Sequence, residues 1–234
     1  MSIRDLALAR GLNDTRATLV RWNAAPGPIV GRWLAGSFAV SVALLYIVWA
    51  ISHRVVPDTR PLLLPGVSAP AGLGDVGRVL ARNMLVLALH AMACVAGYIA
   101  GSALPAQAEQ HRGVWRRVYA LAGPAAIAFV VAATLFSLVT QAFVLGSDAA
   151  TLGRQIDVGH AMLIVTLLPH ALPELIALFL PLAAWLVASR RRRWDELLAA
   201  TVATTALALP VLVVTALVEV YLWPDLLRAA SPLG

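Results

Sequence analysis

The chain has 234 residues, of which 60% are hydrophobic and 13% charged, and its formal net charge is +6. This composition excludes an ordinary soluble domain and predicts an integral membrane protein. All 18 basic residues are arginines, and most of them flank apolar segments, so the charge predicts membrane topology and argues against nucleic acid as a partner.

The N-terminal segment, residues 1–32, precedes the first apolar stretch and carries five arginines. Within it, residues 3–22 mix apolar and basic side chains at partly helical spacing, which predicts a cytoplasmic amphipathic helix lying on the membrane surface. Its arginines predict contact with anionic lipids. A frayed, solvated tail is the alternative.

Five apolar stretches are each long enough for a helix that crosses the roughly 30 Å hydrocarbon layer. They comprise residues 33–52, 84–104, 118–145, 161–189 and 199–223. The predicted fold class is therefore all-α: a polytopic membrane helix bundle with about five transmembrane helices and an N-terminal interfacial helix. Residues 33–234 are expected to form a single transmembrane domain.

The arginines also predict the orientation of the chain in the membrane. Twelve lie in the N-terminal segment and in the loops after the second and fourth spans, and six lie on the other side. The positive-inside rule then predicts a multi-pass protein of the cytoplasmic membrane, with its N-terminus in the cytoplasm and its C-terminus outside.

The second span contains Gly97 and Gly101, whose spacing allows another helix to approach closely. Because such pairs are frequent in membrane helices, we expect them to pack within the monomer and not at a dimer interface. The single cysteine, Cys94, lies in the same span. It cannot form an intrachain disulfide and is expected to be an inert packing residue.

The fourth span contains the most informative motif, the stretch from Leu168 to Glu174. Pro169 and Pro173 each remove a backbone donor and crowd the preceding turn. The sequence therefore predicts a kinked or broken span, interrupted near residues 168–172, with Glu174 at the start of a second half-helix and facing the bundle interior. A merely kinked helix, with Glu174 bonded to a neighbouring carbonyl, is the alternative.

Polar side chains inside a bilayer are unfavourable unless they have partners, so they mark structural or functional sites. With a rise of about 1.5 Å per residue, five of them reach a similar depth in the outer half of the membrane. These five are Asn83, His90, His170, Glu174 and Glu219. We expect one polar cluster, in which His170 and Glu219 bond directly or through one bridging group. Ordinary interhelical hydrogen bonding is the alternative for each residue.

Three short motifs at these positions resemble the stage II sporulation protein M family. They are Arg82-Asn83, the run from His170 to Glu174, and Val218-Glu219-Val220. The family typically shows Asn-Asn, His-Gly-x-x-Glu and an Ile-Glu-Ala-like end at these places, so Arg82 and Ala171 depart from its pattern. The resemblance covers residues 80–225.

The resemblance implies a bacterial or archaeal membrane protein of about five spans without established catalysis, whose name-giving relative looks like a scaffold for peptidoglycan-degrading partners. The leading hypothesis is therefore a non-enzymatic, oligomeric membrane scaffold. Its outer-half polar cluster would bind lipid or cell-envelope proteins. This hypothesis involves no catalytic residue, cofactor or metal.

Two further hypotheses use the same polar residues. A transporter or channel would bind a proton, ion or substrate through Glu174, Glu219 and His170. An intramembrane metalloenzyme would add His90 to these three, but no double-ligand motif supports it. A water-filled cavity that reaches both carboxyl groups would favour transport, whereas an internally bonded cluster would favour a structural function.

Overall fold

The computed structural model describes residues 7–232, so the start of the expected N-terminal helix, residues 3–6, lies outside the described part. The side chains of residues 7–10 are likewise not described. Residues 7–232 are helical apart from turns, loops and an isolated bridge between Pro65 and Ala69. This confirms the all-α fold class.

The helices are, in chain order, α1 (Ala7–Asn23), α2 (Gly27–Ser52), α3 (Leu73–Tyr98), α4 (Leu104–Gln110), α5 (Gly113–Gln155), α6 (His160–Arg190), α7 (Leu197–Leu217) and α8 (Trp223–Ala230). A 3-10 turn, Trp194–Glu196, precedes α7. Five continuous helical stretches are long and apolar enough to cross a membrane: Gly27–Ser52, Leu73–Gln110, Gly113–Gln155, His160–Arg190 and Trp194–Ala230. The five predicted spans are confirmed, and each observed helix extends beyond its apolar stretch.

The fourth span does not break. Helix α6 runs without interruption from His160 to Arg190, so the predicted gap near residues 168–172 is wrong. Pro169 and Pro173 are four residues apart and therefore lie on one face of the helix. Each removes a single backbone bond, and the bonds on the other faces keep the helix continuous. No half-helix terminus is therefore available to stabilise Glu174.

Two other spans contain irregular turns that the sequence did not predict. The first π segment, Ile99–Ala103, lies between α3 and α4, and the second π segment, Val218–Leu222, lies between α7 and α8. In both, the first N–H after the segment bonds to a carbonyl five residues back. Pro105 and Pro224 follow immediately. Because proline lacks the donor for the next bond, the preceding turn widens from α to π.

The third and fourth spans differ most in burial. We compare the most apolar 18-residue window of each span. In this window 11% of the residues are buried in the third span and 50% in the fourth. Helix α5 is therefore exposed over most of that window, whereas α6 is packed against other parts of the chain.

The chain divides into two compact units. Unit 1 comprises Met1–Ser37, Leu87–Leu135 and Phe179–Leu207. Unit 2 comprises Phe38–Val86, Phe136–Leu178 and Ala208–Gly234.

Unit 1 is built around tryptophans and small residues. Trp22 and Trp33 meet edge to face, with ring centroids 5.2 Å apart. A Cβ at Gly97 would lie 2.7 Å from Trp185, and a Cβ at Gly101 would collide with the Trp194 indole. The glycines therefore permit close approach within the chain, which confirms the expected packing inside the monomer.

The single cysteine also belongs to the interior of unit 1. Cys94 is fully buried, and its thiol donates to the backbone carbonyl of Pro181 at 3.1 Å. It packs with Tyr98, Ala188 and Leu197. This environment matches the expected packing function.

Unit 2 has an apolar core in which Leu163, Trp223 and Leu227 pack together. The loop between α2 and α3 is fixed to α5, because the Leu62 N–H donates to Gln155 at 2.9 Å. The same loop also contacts α8 at Gly66. This residue has a φ of 78°, in the left-handed region, and its missing side chain leaves room for Pro224 of α8. The loop is therefore packed against α5 and α8 within unit 2.

Candidate functional site

Four of the five predicted polar residues lie in unit 2. Asn83 and His170 are 3% and 4% exposed, Glu174 is 9% exposed, and the side chain of Glu219 is 17% exposed. His90 belongs to unit 1, where its ring packs against Phe179 with centroids 5.3 Å apart. The structure thus brings four of the predicted residues into one unit and places His90 in the other.

A cavity of about 200 Å³ lies within unit 2. Its ionisable lining residues are Arg82, Asp148, His170, Glu174 and Glu219. The remaining lining is mostly aliphatic, with contributions from α2, the following loop, α5 and α6, together with the indole of Trp223. A mostly apolar cavity with a few convergent polar groups is typical of a small-molecule site.

Glu219 has a different partner from the one predicted. Its carboxylate accepts a hydrogen bond from the Arg82 guanidinium at 3.4 Å. Within the described residues no hydrogen bond joins it to His170, whose ring instead lies 5.3 Å from the Trp223 ring. Helical rise gives the depth of a residue but not the direction in which its side chain points, and Arg82 reaches the carboxylate with a long, charged side chain.

Several buried polar atoms of unit 2 have no hydrogen-bond partner in the described protein. They are Asn83 Nδ2, His170 Nδ1, Glu174 Oε2 and the hydroxyl of Ser147. The Asn83 side chain lies beside the Glu174 carboxyl group, although Asn83 Nδ2 and Glu174 Oε2 are both unpaired. An unpaired buried polar group costs roughly 1–3 kcal/mol, and native proteins contain few of them. Two of these residues, His170 and Glu174, line the cavity, which is consistent with a site that bonds a ligand or water.

Charge is unevenly distributed around the cavity. Three carboxyl groups, those of Asp148, Glu174 and Glu219, share one guanidinium and one imidazole. Charges in a membrane interior are retained where they have partners or line a solute pathway. When all three carboxyl groups are ionised, an additional cation would balance the charge at this site.

Two lining residues were not among the predicted site residues. Arg82 was noted only as a departure from the family motif, and Asp148 lies beyond the predicted end of the third span at residue 145. Helix α5 continues to Gln155 and carries Asp148 to the cavity. The signal that could have revealed it is the absence of proline between residues 146 and 155, which allows the helix to continue.

The described geometry offers no set of metal ligands for the intramembrane metalloenzyme hypothesis. Among the residues that the structure describes, no three His, Cys, Asp or Glu side chains are placed to hold a metal ion.

These features define a polytopic, all-helical membrane protein with a mostly apolar cavity that carries a few ionisable groups among its membrane-spanning helices. Residues 125–224 match the family model of Stage II sporulation protein M, so this part of the chain is similar to that family. The match includes His170, Glu174 and Glu219, so the resemblance is confirmed there, whereas Arg82-Asn83 precedes it. No curated protein and no solved structure matches the chain.

Proposed function

We propose that this protein is a non-enzymatic membrane transporter that binds a small organic cation in the cavity of unit 2. The observation that supports this proposal best is the charge imbalance, since three carboxyl groups and one guanidinium line the same space. Ionisable residues that line a cavity inside the membrane are typical of substrate pathways. The cavity reaches both Glu174 and Glu219, which favours transport over the scaffold hypothesis.

The size and lining of the cavity favour an organic cation over a bare metal ion. Its volume of about 200 Å³ is more than one ion fills, yet it is below the roughly 300–1,000 Å³ of typical pockets for drug-sized ligands. The aliphatic walls suit an apolar body, and Trp223, an aromatic residue of the kind that attracts cations, also lines the cavity. A protonated alkylamine combines an ammonium group with such a body.

Arg82 is the residue with which an incoming cation would compete. Its guanidinium is 3.4 Å from Glu219, but its side chain is 63% exposed, so the ion pair is weak. Asp148 lies within electrostatic range of the same guanidinium. An ammonium bound at Glu219 would therefore release Arg82 toward a second carboxylate, and this exchange would couple ligand binding to movement of α3.

Binding is tested with purified full-length protein and n-butylammonium as the probe. A ligand that binds only the folded state raises the midpoint of thermal unfolding. We expect n-butylammonium to raise it and the uncharged n-butanol to leave it unchanged. Glu219→Gln should weaken the response about tenfold, in line with loss of one charge-assisted hydrogen bond. Arg82→Gln should strengthen it, because the internal competitor is gone.

The matched control is Glu109→Gln, which removes an exposed carboxylate of unit 1 that does not line this cavity. It should respond as the unmodified protein does. An equal shift with n-butanol, or an equal loss in the control, would contradict the proposed site. Uptake of labelled n-butylammonium into proteoliposomes then tests transport, and binding without uptake would leave a binding protein in place of a transporter.

A membrane scaffold is the second candidate, favoured by the family match over residues 125–224. In this case the protein would self-associate or hold cell-envelope proteins. Light scattering of the purified protein measures the oligomeric state. Glu174→Gln and Glu219→Gln should leave a scaffold's assembly unchanged, while each should weaken the response of a transporter to its cation.

We also propose a cytoplasmic-membrane location with a cytoplasmic N-terminus and an external C-terminus, supported by the twelve-to-six division of arginines. Ser68→Cys should react with an impermeant maleimide in intact cells, and Asn13→Cys only after lysis. Both positions are exposed, and native Cys94 is fully buried, so background labelling should be low. The opposite labelling pattern would reverse the topology.

A further inference from the structure

Unit 1 contains a second pocket, distinct from the cavity proposed to bind a cation. It has a volume of about 40 Å³ and lies beside the Trp22–Trp33 pair. Arg32 and Arg191 both line it, and both side chains are exposed. A single water needs about 10–15 Å³ of such space, so the pocket has room for a group of several atoms.

The acidic residue of this pocket is already compensated. Glu196 lines the pocket and accepts from Arg21 at 2.7 Å and from Arg193 at 2.6 Å. Arg32 and Arg191, by contrast, form no ion pair with any residue that the structure describes. Two guanidinium groups without acidic partners at one pocket leave a local excess of positive charge.

We infer that this pocket binds the phosphate group of an anionic phospholipid between Arg32 and Arg191. Guanidinium groups bind phosphate oxygens through paired, charge-assisted hydrogen bonds. A soluble phosphate would offer the same oxygens to the two arginines, so the apolar part of the pocket decides between the two sources.

The apolar lining favours a lipid. Ile29 and Val187 lie in the same pocket as the two tryptophans. Tryptophan is enriched at the level of lipid headgroups, where its ring contacts both acyl chains and polar headgroups. An amphiphilic anion would place its phosphate at the arginines and the start of an acyl chain on these side chains. The pocket therefore assigns to two particular arginines a lipid contact that charge patterning predicts only in general.

The test compares two double variants of the full-length protein. Arg32→Gln/Arg191→Gln removes the proposed phosphate ligands. Arg112→Gln/Arg117→Gln removes the same charge from exposed positions of unit 1 that do not line this pocket. Each protein is reconstituted in nanodiscs of phosphatidylcholine with or without phosphatidylglycerol, and bound phosphatidylglycerol is counted by native mass spectrometry after transfer to detergent.

We expect the unmodified protein to retain phosphatidylglycerol, and the pocket variant to retain it about tenfold or more weakly, which is the loss of at least one charge-assisted hydrogen bond. The control variant should retain the lipid as the unmodified protein does. Arg32→Lys/Arg191→Lys keeps the charge but not the paired donors, so its retention of phosphatidylglycerol should be intermediate. Intermediate retention would distinguish loss of binding from loss of folding.

Three results would overturn the inference. Equal loss in the control variant would reduce the effect to general surface charge. Stabilisation by inorganic phosphate without retention of lipid would replace the lipid with a soluble anion. An equal fall in the unfolding midpoint of Arg191→Gln with and without phosphatidylglycerol would indicate that this arginine only stabilises the C-terminus of α6.

Discussion

Replacing Arg82 with glutamine should destabilise the protein more than replacing Glu219 with glutamine, although both changes remove the same ion pair. Arg82 supplies the only guanidinium that lines the described cavity of unit 2, whereas Glu219 supplies one of three carboxyl groups there. Loss of the guanidinium removes the positive charge that compensates ionised carboxyl groups at the cavity. Loss of the Glu219 charge relieves part of the repulsion among them.

The magnitude follows from the geometry of the pair. Its atoms are 3.4 Å apart, and the side chains of Arg82 and Glu219 are 63% and 17% exposed. Unit charges about 4 Å apart attract by about 1 kcal/mol in water and about 4 kcal/mol at an effective dielectric constant near 20, and exposed pairs contribute roughly 0.2–1 kcal/mol net. We therefore expect Arg82→Gln to cost about 1–2 kcal/mol and Glu219→Gln less than about 0.5 kcal/mol.

The assay is a double-mutant cycle, with free energies of unfolding measured in one detergent. The exposed pair Arg228–Asp225 of unit 2, which does not line the cavity, is the control. Both single losses should be small, and the larger should be that of Arg228, which also donates to the Gly66 carbonyl at 2.6 Å. A loss for Glu219→Gln as large as that for Arg82→Gln would refute the argument from charge imbalance. Losses that add within about 0.3–0.5 kcal/mol would show that the two side chains are not coupled.

Three further predictions concern the backbone. A methyl group at Gly97 would lie 2.7 Å from its nearest neighbour, so Gly97→Ala should lower the free energy of unfolding by about 1–3 kcal/mol. The control is Gly77→Ala on the same helix, where a methyl group would have nothing within 4 Å. This change should raise the free energy of unfolding by up to about 1 kcal/mol. Pro173→Ala should restore a backbone bond in α6 and raise the unfolding midpoint, and a lower midpoint would contradict a continuous helix. Pro224→Ala should convert the second π segment to α-helix and rotate its side chains by about 100°. This change should abolish binding of n-butylammonium. The control Pro105→Ala, at the first π segment, should leave binding intact.

The sequence predicted the number and order of the spans because apolar length is dictated by the thickness of the bilayer. It also predicted a short helix from about Asp75 that leads into the second span, which agrees with the start of α3, but it did not predict how far the helix of the third span extends. Helix α5 continues to Gln155 and α3 begins at Leu73, in both cases beyond the apolar stretch. A hydropathy boundary marks where charges begin, but the backbone remains helical past that point, and Arg82 and Asp148 lie in these extensions.

The candidate site was predictable in part for the same reason. Counting residues along a helix gives depth, which placed Asn83, His170, Glu174 and Glu219 at similar levels, and all four belong to unit 2. Depth does not give rotation about the helix axis. The His170–Glu219 pair was therefore expected from depth alone, whereas the structure pairs Glu219 with Arg82.

Proline explains why the irregular backbone occurs at Glu219 and not at Glu174. Pro169 and Pro173 lie well inside a helix that stays regular, as α5 does at Pro124 and α7 at Pro210. Pro224 lies close to the end of its span, and the turn before it widens instead, which inserts one residue and changes the direction of the side chains that precede it. Glu219 lies on that widened turn, within 3.4 Å of Arg82. The two carboxyl groups thus reach one cavity by different means, Glu174 on a regular helix and Glu219 on a π turn, so a substitution that regularises the fifth span would move only one of them.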